Sequence, residues 1–397
     1  MKIGLVGKPS AGKSTFFKAA TLMDVAIANY PFTTIDPNTG FGHLRIDCAD
    51  KEFNTTCNPR TGYCVGGQRF VPFELMDVAG LVPDAHLGKG RGLAFLSDLN
   101  EAVALIHVID ASGSINAEGE DVEQGVYDPC KDIEFLEREL DYWYLGIIKK
   151  GWDRFSRKVQ QEKLKPELAL TEQLSGLRVT EEHVKQALKE LSLPEAMTDW
   201  SEEDLLKLAT YLRKKTKPIV VAANKIDKAT SKKHFKDMKN KFPEHIIIQC
   251  SSEIELALRE AAHHDMISYL PGDKSFTITH EEKLNEKQKQ GLSFMKKFLE
   301  EHRTTGVQEV LNKAVLELLK YIAVFPVATN KLEDSDGRKL PDCFLMPKTT
   351  TPLNLAARLH TDFAKHFIRA VNVRTKLPIA KDEPLHHRDV VEIVSAK

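Results

Sequence analysis

The first fifteen residues constrain the fold of this chain more than any other part of it. In order, they contain an apolar run at residues 2–6, the pattern Gly7-x4-Gly12-Lys13-Ser14 and the start of a helical pattern at residues 16–22. Glycines let backbone N–H groups fold around phosphate oxygens, Lys13 can reach the β- and γ-phosphates of a nucleotide, and Ser14 can ligate Mg²⁺. The order strand, glycine loop, helix therefore predicts a P-loop domain of the α/β class.

Further β-type runs alternate with loops and helical patterns, as expected for an α/β sheet. They lie at residues 41–46, 69–76, 103–109, 218–223 and 245–249. Residues 130–215 show apolar positions three or four apart and no strand pattern, which predicts a helical insertion. Within it, Thr180 and Ser201 stand where helix N-caps would. Helical patterns follow at 281–303 and 307–323, and residues 325–397 are β-rich, with one helix at 353–370 and a closing strand at 390–394.

Composition places this 397-residue chain among globular proteins, because 42% of its residues are hydrophobic and 28% are charged. Its net charge of −1 shows no bulk attraction to nucleic acid. Six cysteines without a C-x-x-C pair, no secretion signal and no apolar run of membrane length predict a cytoplasmic protein with no membrane or DNA partner. We expect a monomer. Cys48, Cys57 and Cys64 have a spacing that matches no zinc pattern, so a plain extended hairpin is predicted there.

Three later motifs follow the phosphate loop in a fixed order. Asp77-Val78-Ala79-Gly80 ends a strand, where Asp77 can hold Mg²⁺ through water and the Gly80 amide can sense a γ-phosphate. Asn224-Lys225-Ile226-Asp227 closes another strand, and Asp227 offers two acceptor oxygens to the N1–H and amino group of guanine. Ser251-Ser252 follows the next strand, where a backbone N–H can meet the guanine carbonyl.

Taken in this order, the motifs resemble those of translation-factor-type GTPases, and residues 29–38 (NYPFTTIDPN) resemble the switch I signature of the Obg superfamily. Within it, the chain is most similar to the YchF subfamily, which has a helical insertion and a C-terminal TGS domain. Residues 346–353, 356–360 and 389–393 resemble the TGS β-grasp pattern. The resemblance implies a G domain at residues 1–129 and 216–320, a helical insertion at 130–215 and a TGS domain at 321–397.

The motifs and the resemblance together assign site residues. The catalytic candidates are Lys13, Thr34, Gly80 and His86. The nucleotide-binding candidates are Gly7, Pro9, Ser10, Ala11, Gly12, Lys13, Ser14, Thr15, Asn224, Lys225, Asp227, Ser251 and Ser252. The Mg²⁺ ligands are Ser14, Thr34 and Asp77.

Two positions, Ser10 and Leu81, depart from patterns of related GTPases. Relatives that use potassium carry asparagine where this chain has Ser10, so a role for potassium is left open. Leu81 stands where Ras-type enzymes place the glutamine that orients the attacking water, so slow intrinsic hydrolysis is expected. His86 is the candidate that would take over this role.

The resulting hypothesis is a GTPase that hydrolyses GTP to GDP as a conformational switch and acts on the ribosome or another RNA-containing partner. Basic residues of the last domain that can meet RNA phosphates are Lys365, His366, Arg369, Arg374 and Lys376. Two alternatives remain open. One is a slow or non-hydrolysing nucleotide sensor, and the other is a YchF-like hydrolase that uses ATP.

Overall fold

The structure, a computed structural model, describes residues 1–22, 38–78, 99–327, 331–334 and 336–396. Its strands are β1 (Lys2–Val6), β2 (Thr39–Asp47), β3 (Tyr63–Val65), β4 (Gln68–Asp77), β5 (Ala104–Asp110), β6 (Ile219–Asn224), β7 (Ile246–Gln249), β8 (Ile267–Ser268), β9 (Thr277–Ile278), β10 (Tyr321–Val327), β11 (Phe344–Pro347), β12 (Phe367–Asn372), β13 (Pro378–Ile379) and β14 (Val390–Ser395). These bounds confirm the strands predicted around residues 41–46, 69–76, 103–109, 218–223, 245–249 and 390–394.

The α-helices of the described residues are α1 (Lys13–Thr21), α2 (Cys130–Lys149), α3 (Trp152–Gln161), α4 (Pro166–Gln173), α5 (Glu181–Glu190), α6 (Glu202–Thr216), α7 (Ser231–Lys241), α8 (Ser252–His263), α9 (Glu286–His302), α10 (Val307–Lys313), α11 (Pro352–Leu359) and α12 (Thr361–Lys365). Among the described residues, none of the helices is long and apolar enough to cross a membrane. The chain divides into two compact units. Unit 1 comprises Met1–Phe17 and Leu75–Ile254, and unit 2 comprises Lys18–Glu74 and Glu255–Lys397.

Unit 1 contains a parallel sheet in which β5 and β6 are buried at every position. Strand β5 pairs in parallel with β1 on one side and β6 on the other, and β7 follows β6. Strands buried on both faces carry continuous apolar sequence, which is why these runs were recognisable. Parallel pairing also brings the carboxyl ends of β1, β5 and β6 to one edge of the sheet, where ligands of open α/β folds bind.

Helices α2 to α6 of unit 1 fill residues 130–216, as the apolar spacing predicts. Thr180 and Ser201 cap α5 and α6, each in a reciprocal capping box, so both predicted N-caps are confirmed. The rings of Trp152 and Trp200 stack at 5.4 Å in the core of this segment. Arg213 of α6 forms hydrogen-bonded ion pairs with Glu137 and Asp141 of α2.

Unit 2 contains β2 beside residues 68–74 of β4, with β3 antiparallel to β4. It also contains a sheet in the order β11-β10-β14-β12-β13, in which β10 and β14 are parallel. Leu355 of α11 packs in the core of this sheet with Val324 and Val391. The division of the chain into a G domain, an insertion and a TGS domain at the stated boundaries stays a prediction.

Two predicted helices of unit 2 are wrong at their C-terminal ends. The pattern at 307–323 is helical only to Leu318, because Lys320 has a left-handed φ of 53°, and the apolar residues after it form β10. The pattern at 353–370 contains two short helices. His360 separates them by adopting an extended backbone and capping Asp362 with its side chain, and β12 follows at Phe367.

Candidate functional site

The phosphate loop, residues 7–12, connects β1 to α1 in a conformation that requires its two glycines. A Cβ on Gly7 would lie 2.5 Å from the carbonyl oxygen of Val108. Gly12 has a φ of +93°, and a Cβ there would lie 2.2 Å from Nδ2 of Asn224. Both distances are far shorter than a van der Waals contact, and the φ of Gly12 is one that other residues rarely adopt. The two glycines of the motif are therefore required by close backbone approach and, at Gly12, by the backbone conformation.

Residues outside the motif hold the loop from its other side. Lys8 is buried, its Nζ lies 2.9 Å from a carboxylate oxygen of Asp132, and the same nitrogen lies 3.7 Å above the Tyr127 ring. Ser10, at a left-handed φ of 63°, donates a hydrogen bond of 3.2 Å to the carbonyl of Gly119. Sequence reasoning missed Lys8, Tyr127 and Asp132, because Lys8 occupies a variable position of the motif.

Burial shifts the pKa of both residues in the ion pair of Lys8 and Asp132. It lowers the pKa of Lys8 and raises the pKa of Asp132, and the attraction between the two charges opposes each shift. Tyr127 donates a hydrogen bond of 2.8 Å to the same carboxylate. The loop is thus anchored to the protein through the hydrogen bonds and charges of Lys8, Ser10 and their partners.

Lys13 and Asp77, which the motifs place on different elements, meet at the edge of the sheet. Lys13 Nζ forms an ion pair with Asp77 and donates a hydrogen bond of 2.7 Å to the carbonyl of Val78. Ser14 is exposed in the first turn of α1. A hydroxyl and a carboxylate are the hard oxygen ligands that Mg²⁺ prefers, so this donor set fits the metal. Thr34, Gly80 and His86 lie outside the described residues.

Asn224 connects the phosphate loop to the serine pair. Its side chain is buried, and its Nδ2 donates a hydrogen bond of 2.9 Å to the carbonyl of Ala11. Its Oδ1 accepts hydrogen bonds from the backbone N–H of Ser252 at 3.0 Å and from the hydroxyl of Ser252 at 2.9 Å. These hydrogen bonds occupy the side-chain amide. Asn224 therefore holds together the phosphate loop, the end of β6 and the serine pair.

Asp227 lies at the other end of the same loop, with its side chain 12% exposed. One of its carboxylate oxygens accepts a hydrogen bond of 2.8 Å from the Ser251 hydroxyl. The structure therefore places the proposed base-reading carboxylate beside the serine pair. This leaves acceptor capacity for a ligand, because an ionised carboxylate can accept about four hydrogen bonds.

Lys225 is held by a buried aspartate that sequence reasoning missed. Its Nζ lies 3.3 Å from Asp110, and its backbone has a left-handed φ of 63°. Asp110 pairs in register with Asn224 at the end of β5 and accepts hydrogen bonds from Ser112 and Ser114. Burial alone would raise the pKa of Asp110, but hydrogen bonds from Ser112 and the charge of Lys225 lower it. Only the strand end itself, where Asp110 follows an apolar run, signals this residue.

The structure thus brings together two groups of predicted nucleotide-binding residues. They are Gly7, Pro9, Ser10, Ala11, Gly12, Lys13, Ser14 and Thr15 on the loop and the start of α1, and Asn224, Lys225, Asp227, Ser251 and Ser252 after β6 and β7. All of them belong to unit 1. The hydrogen bond from Asn224 to Ala11 joins the two groups.

Three known families match successive parts of the chain. Residues 2–136 match the family described as 50S ribosome-binding GTPase. Residues 222–329 match the Obg-like GTPase YGR210-like, G4 motif-containing domain. Residues 335–395 match the TGS domain. The predicted combination of a P-loop GTPase domain and a C-terminal TGS domain is therefore confirmed.

Similar proteins extend over nearly the whole chain. A GTP-binding protein of Methanocaldococcus jannaschii is 45% identical over 395 residues, which cover 99% of each chain. A GTP-binding protein of Schizosaccharomyces pombe is 35% identical over 88% of this chain and 87% of its own. Obg-like ATPase 1 of Danio rerio is 27% identical over 93% of this chain and 82% of its own.

Solved structures show the same fold. A GTP-binding protein of Pyrococcus horikoshii, 39% identical, matches all of both chains with a TM-score of 0.81. The YchF GTPase of Schizosaccharomyces pombe, 21% identical, matches 99% of this chain and 97% of its own with a TM-score of 0.61. The phosphate loop and the Asn224 to Asp227 motif lie within the parts of the chain that match these GTPase families. The similarity to GTP-binding proteins over nearly the whole chain shows that the chain belongs to the Obg-like, YchF-type family of GTP-binding proteins.

Proposed function

We propose that this protein binds GTP with Mg²⁺, hydrolyses it to GDP and uses the change at the γ-phosphate as a conformational switch. The observation that carries the proposal is the bridge made by Asn224. Its side chain ties the phosphate loop at Ala11 to the serine pair at Ser252, while Asp227 of the same motif meets Ser251. A nucleotide could reach both ends, with its phosphates on the loop and its base beside Asp227.

Phosphate binding is assigned to the loop amides and to Lys13. A triphosphate would draw Lys13 from Asp77, since the β- and γ-phosphates offer it a stronger anion, and Asp77 would then be free to face the metal through water. Ser14, Thr34 and Asp77 are the residues that would hold Mg²⁺. The metal, when bound, neutralises charge that develops on the β- and γ-phosphates. The start of α1 adds the positive end of its dipole to the same place.

Selection of guanine is assigned to Asp227. Guanine presents an N1–H and an amino group side by side, and a carboxylate accepts both, whereas adenine lacks this donor pair. An ATP-using enzyme is the second candidate, because one group of relatives is named Obg-like ATPase 1. The complete Asn224-Lys225-x-Asp227 motif favours GTP for this chain.

Hydrolysis is expected to be slow without a partner. Leu81 has no group that can orient water, and His86 is the candidate of this segment for that role. The match of residues 2–136 to a family described as ribosome-binding supports the ribosome as the partner that accelerates turnover. Exposed basic residues of unit 2, namely Lys365, His366, Arg369 and Lys376, supply phosphate-binding charge.

The decisive experiment is single-turnover hydrolysis of radiolabelled GTP and ATP, with and without ribosomes. GTP should be cleaved in preference to ATP, and ribosomes should raise the rate. Lys13→Ala should abolish cleavage, while Lys18→Ala, which removes an exposed lysine of the same helix, should leave it unchanged. Tight GTP binding without turnover under any of these conditions would favour a nucleotide sensor, and preference for ATP would favour the ATP-using enzyme.

A further inference from the structure

The long connection from β2 to β4 gathers three cysteines that lie far apart in sequence. The Sγ atoms of Cys48, Cys57 and Cys64 all lie within 4.8 Å of one another. Cys48 and Cys57 are buried and Cys64 is half-buried. The connection is not the plain extended hairpin that was predicted, because it contains a 3₁₀ turn and the short strand β3. Folding of the connection, with a 3₁₀ turn at Asp50–Phe53 and the β3–β4 pairing, produces the cluster.

The spread of the three sulfur atoms suits a tetrahedral thiolate site. With a Zn–S bond of about 2.3 Å, ligand sulfurs lie roughly 3.8 Å apart around the ion. Thiols within 4.8 Å of one another would therefore need to move by less than about 1 Å to reach that geometry. Side-chain rotation alone supplies movements of this size.

The positive charge of Arg69 favours a negative charge on the cysteine cluster. Its side chain is fully buried, and its Nη1 donates a hydrogen bond of 2.9 Å to Sγ of Cys57. Its other hydrogen bonds go to backbone carbonyls of Thr61, Leu340 and Pro341. Within the described ranges of the chain, no carboxylate forms an ion pair with Arg69. A buried guanidinium without an anion is costly, whereas Zn²⁺ bound by three or four thiolates has a net charge of −1 or −2 and would stabilise it.

A fourth cysteine lies on the segment that packs against this connection. Asn58 and Arg60 donate backbone hydrogen bonds of 2.9 Å to the carbonyls of Lys339 and Pro341, and the Cys57 thiol lies 3.6 Å from the carbonyl of Leu340. Cys343 follows on this segment and is buried, but its Sγ is not one of the three sulfur atoms that lie within 4.8 Å of one another. All of these residues belong to unit 2.

We propose that Cys48, Cys57, Cys64 and Cys343 bind one Zn²⁺ ion, and that this site fastens the β2–β4 connection to the segment before β11. Structural zinc sites are closed by four protein ligands, and Cys343 is the remaining cysteine of unit 2. Binding of the ion would require its segment to bring the Cys343 thiol to the other three. The proposed role is structural, because four thiolate ligands leave no coordination position open for a substrate.

The test uses the full-length chain, purified under reducing conditions without a metal-binding tag. Elemental analysis should find one zinc ion per chain. After exchange of zinc for Co²⁺, the absorption spectrum should show the thiolate-to-cobalt and d–d bands of a tetrahedral sulfur site. Removal of zinc by a chelator should lower the melting temperature and increase the number of thiols that react with a disulfide reagent.

Matched serine and alanine variants locate the ligands. Cys57→Ser and Cys343→Ser should each weaken zinc binding by more than about tenfold in competition with a chromophoric chelator, since each removes a ligand of a closed site. Cys130→Ala removes a buried cysteine of unit 1 and should bind zinc like the native protein. The chelator experiment on the native chain needs no variant and so covers the case in which a serine variant does not fold.

Several results would overturn the proposal. These are a native chain that contains no zinc and gives no tetrahedral cobalt spectrum, a disulfide between two of the three clustered cysteines, or iron with visible charge-transfer absorption in place of zinc. Unchanged zinc affinity in Cys343→Ser would refute the assignment of the fourth ligand.

Discussion

Asp227 lies on a short loop, and one of its oxygens already accepts a hydrogen bond from the Ser251 hydroxyl. In the proposed function, its remaining lone pairs select the base. Asp227→Asn should weaken GTP binding by about 10- to 100-fold, because each lost charge-assisted hydrogen bond is worth about 1.5–3 kcal/mol. Xanthine carries a carbonyl in place of the guanine amine, so xanthosine triphosphate should become the preferred ligand. Competition titration measures both affinities.

The matched control for this substitution is Asp237→Asn, on the exposed face of α7, which should change neither affinity. Asparagine at 227 can still accept the Ser251 hydroxyl, so the fold should persist. Equal affinity of the native protein for GTP and ATP would contradict the assignment.

Asn224 aligns the loops of the site, so its substitution should lower both the stability of the protein and its affinity for nucleotides. Asn224→Ala breaks the hydrogen bonds to Ala11 and Ser252 and leaves buried groups without partners, which should destabilise the protein by about 1–3 kcal/mol per orphaned group. Affinity should fall for every nucleoside triphosphate alike, since alignment of the loop is lost. Denaturant unfolding and nucleotide titration test this together. A variant that changes base preference but not stability would show that Asn224 reads the base.

At the scale of elements, the contact between α2 and α6 makes stability depend on acidity. Burial alone would raise the pKa of Glu137, but the hydrogen bond from His245 and the charge of Arg213 lower it from 4.5 to about 2. A folded-state pKa below the unfolded one contributes stability above the unfolded value, and this contribution is lost as pH falls from about 4.5 to about 2. Glu137→Gln should therefore cost about 1–3 kcal/mol at neutral pH, with a difference from the native protein that shrinks over this window.

Denaturant unfolding at a series of pH values measures this dependence. Glu134→Gln is the control, because Glu134 lies on the same helix with an exposed ion pair to Lys241 and should have little effect at any pH. A pH-independent difference between Glu137→Gln and the native protein would refute the electrostatic explanation.

Helices with a clear repeat of apolar residues and strands with a continuous apolar run could be predicted from the sequence. Elements at a change from one of these patterns to the other could not. Strands β5 and β6 are buried throughout, so their apolar runs identified them. The segment Tyr321–Val327 is apolar without a clear period, and only the left-handed Lys320 before it ends the helix. The same limit applies to the site. Motif spacing predicted Lys13 and Asp227, but Asp132 and Asp110 act through contacts that no local pattern contains.

At the scale of the molecule, long-range contacts limit what can be removed without damage. A truncation after Phe325 would cut through β10 and remove the carbonyls of Leu340 and Pro341, to which buried Arg69 donates. Arg374 and Arg388 likewise form ion pairs with Glu52, so Arg374, predicted to face RNA, has a structural contact. Deleting the C-terminal residues would therefore disturb unit 2 as a whole, and loss of partner binding in such a variant would not identify a binding surface.

Charge reversal of exposed basic residues of unit 2 tests the proposed RNA contacts without disturbing the fold. Lys365, Arg369 and Lys376 are exposed, and changing all three to glutamate should leave the fold and GTP affinity intact. If they contact RNA phosphates, ribosome association should weaken, and the slope of log affinity against log salt should decrease by about 2–3 units, since each lost contact removes about 0.7–0.9. Co-sedimentation across a salt series measures both quantities. Reversal of Lys185, Lys207 and Lys149 on the helices of unit 1, which are paired with acidic neighbours, is the comparison. If that variant loses association while the unit 2 variant keeps it, the helical segment is the binding surface.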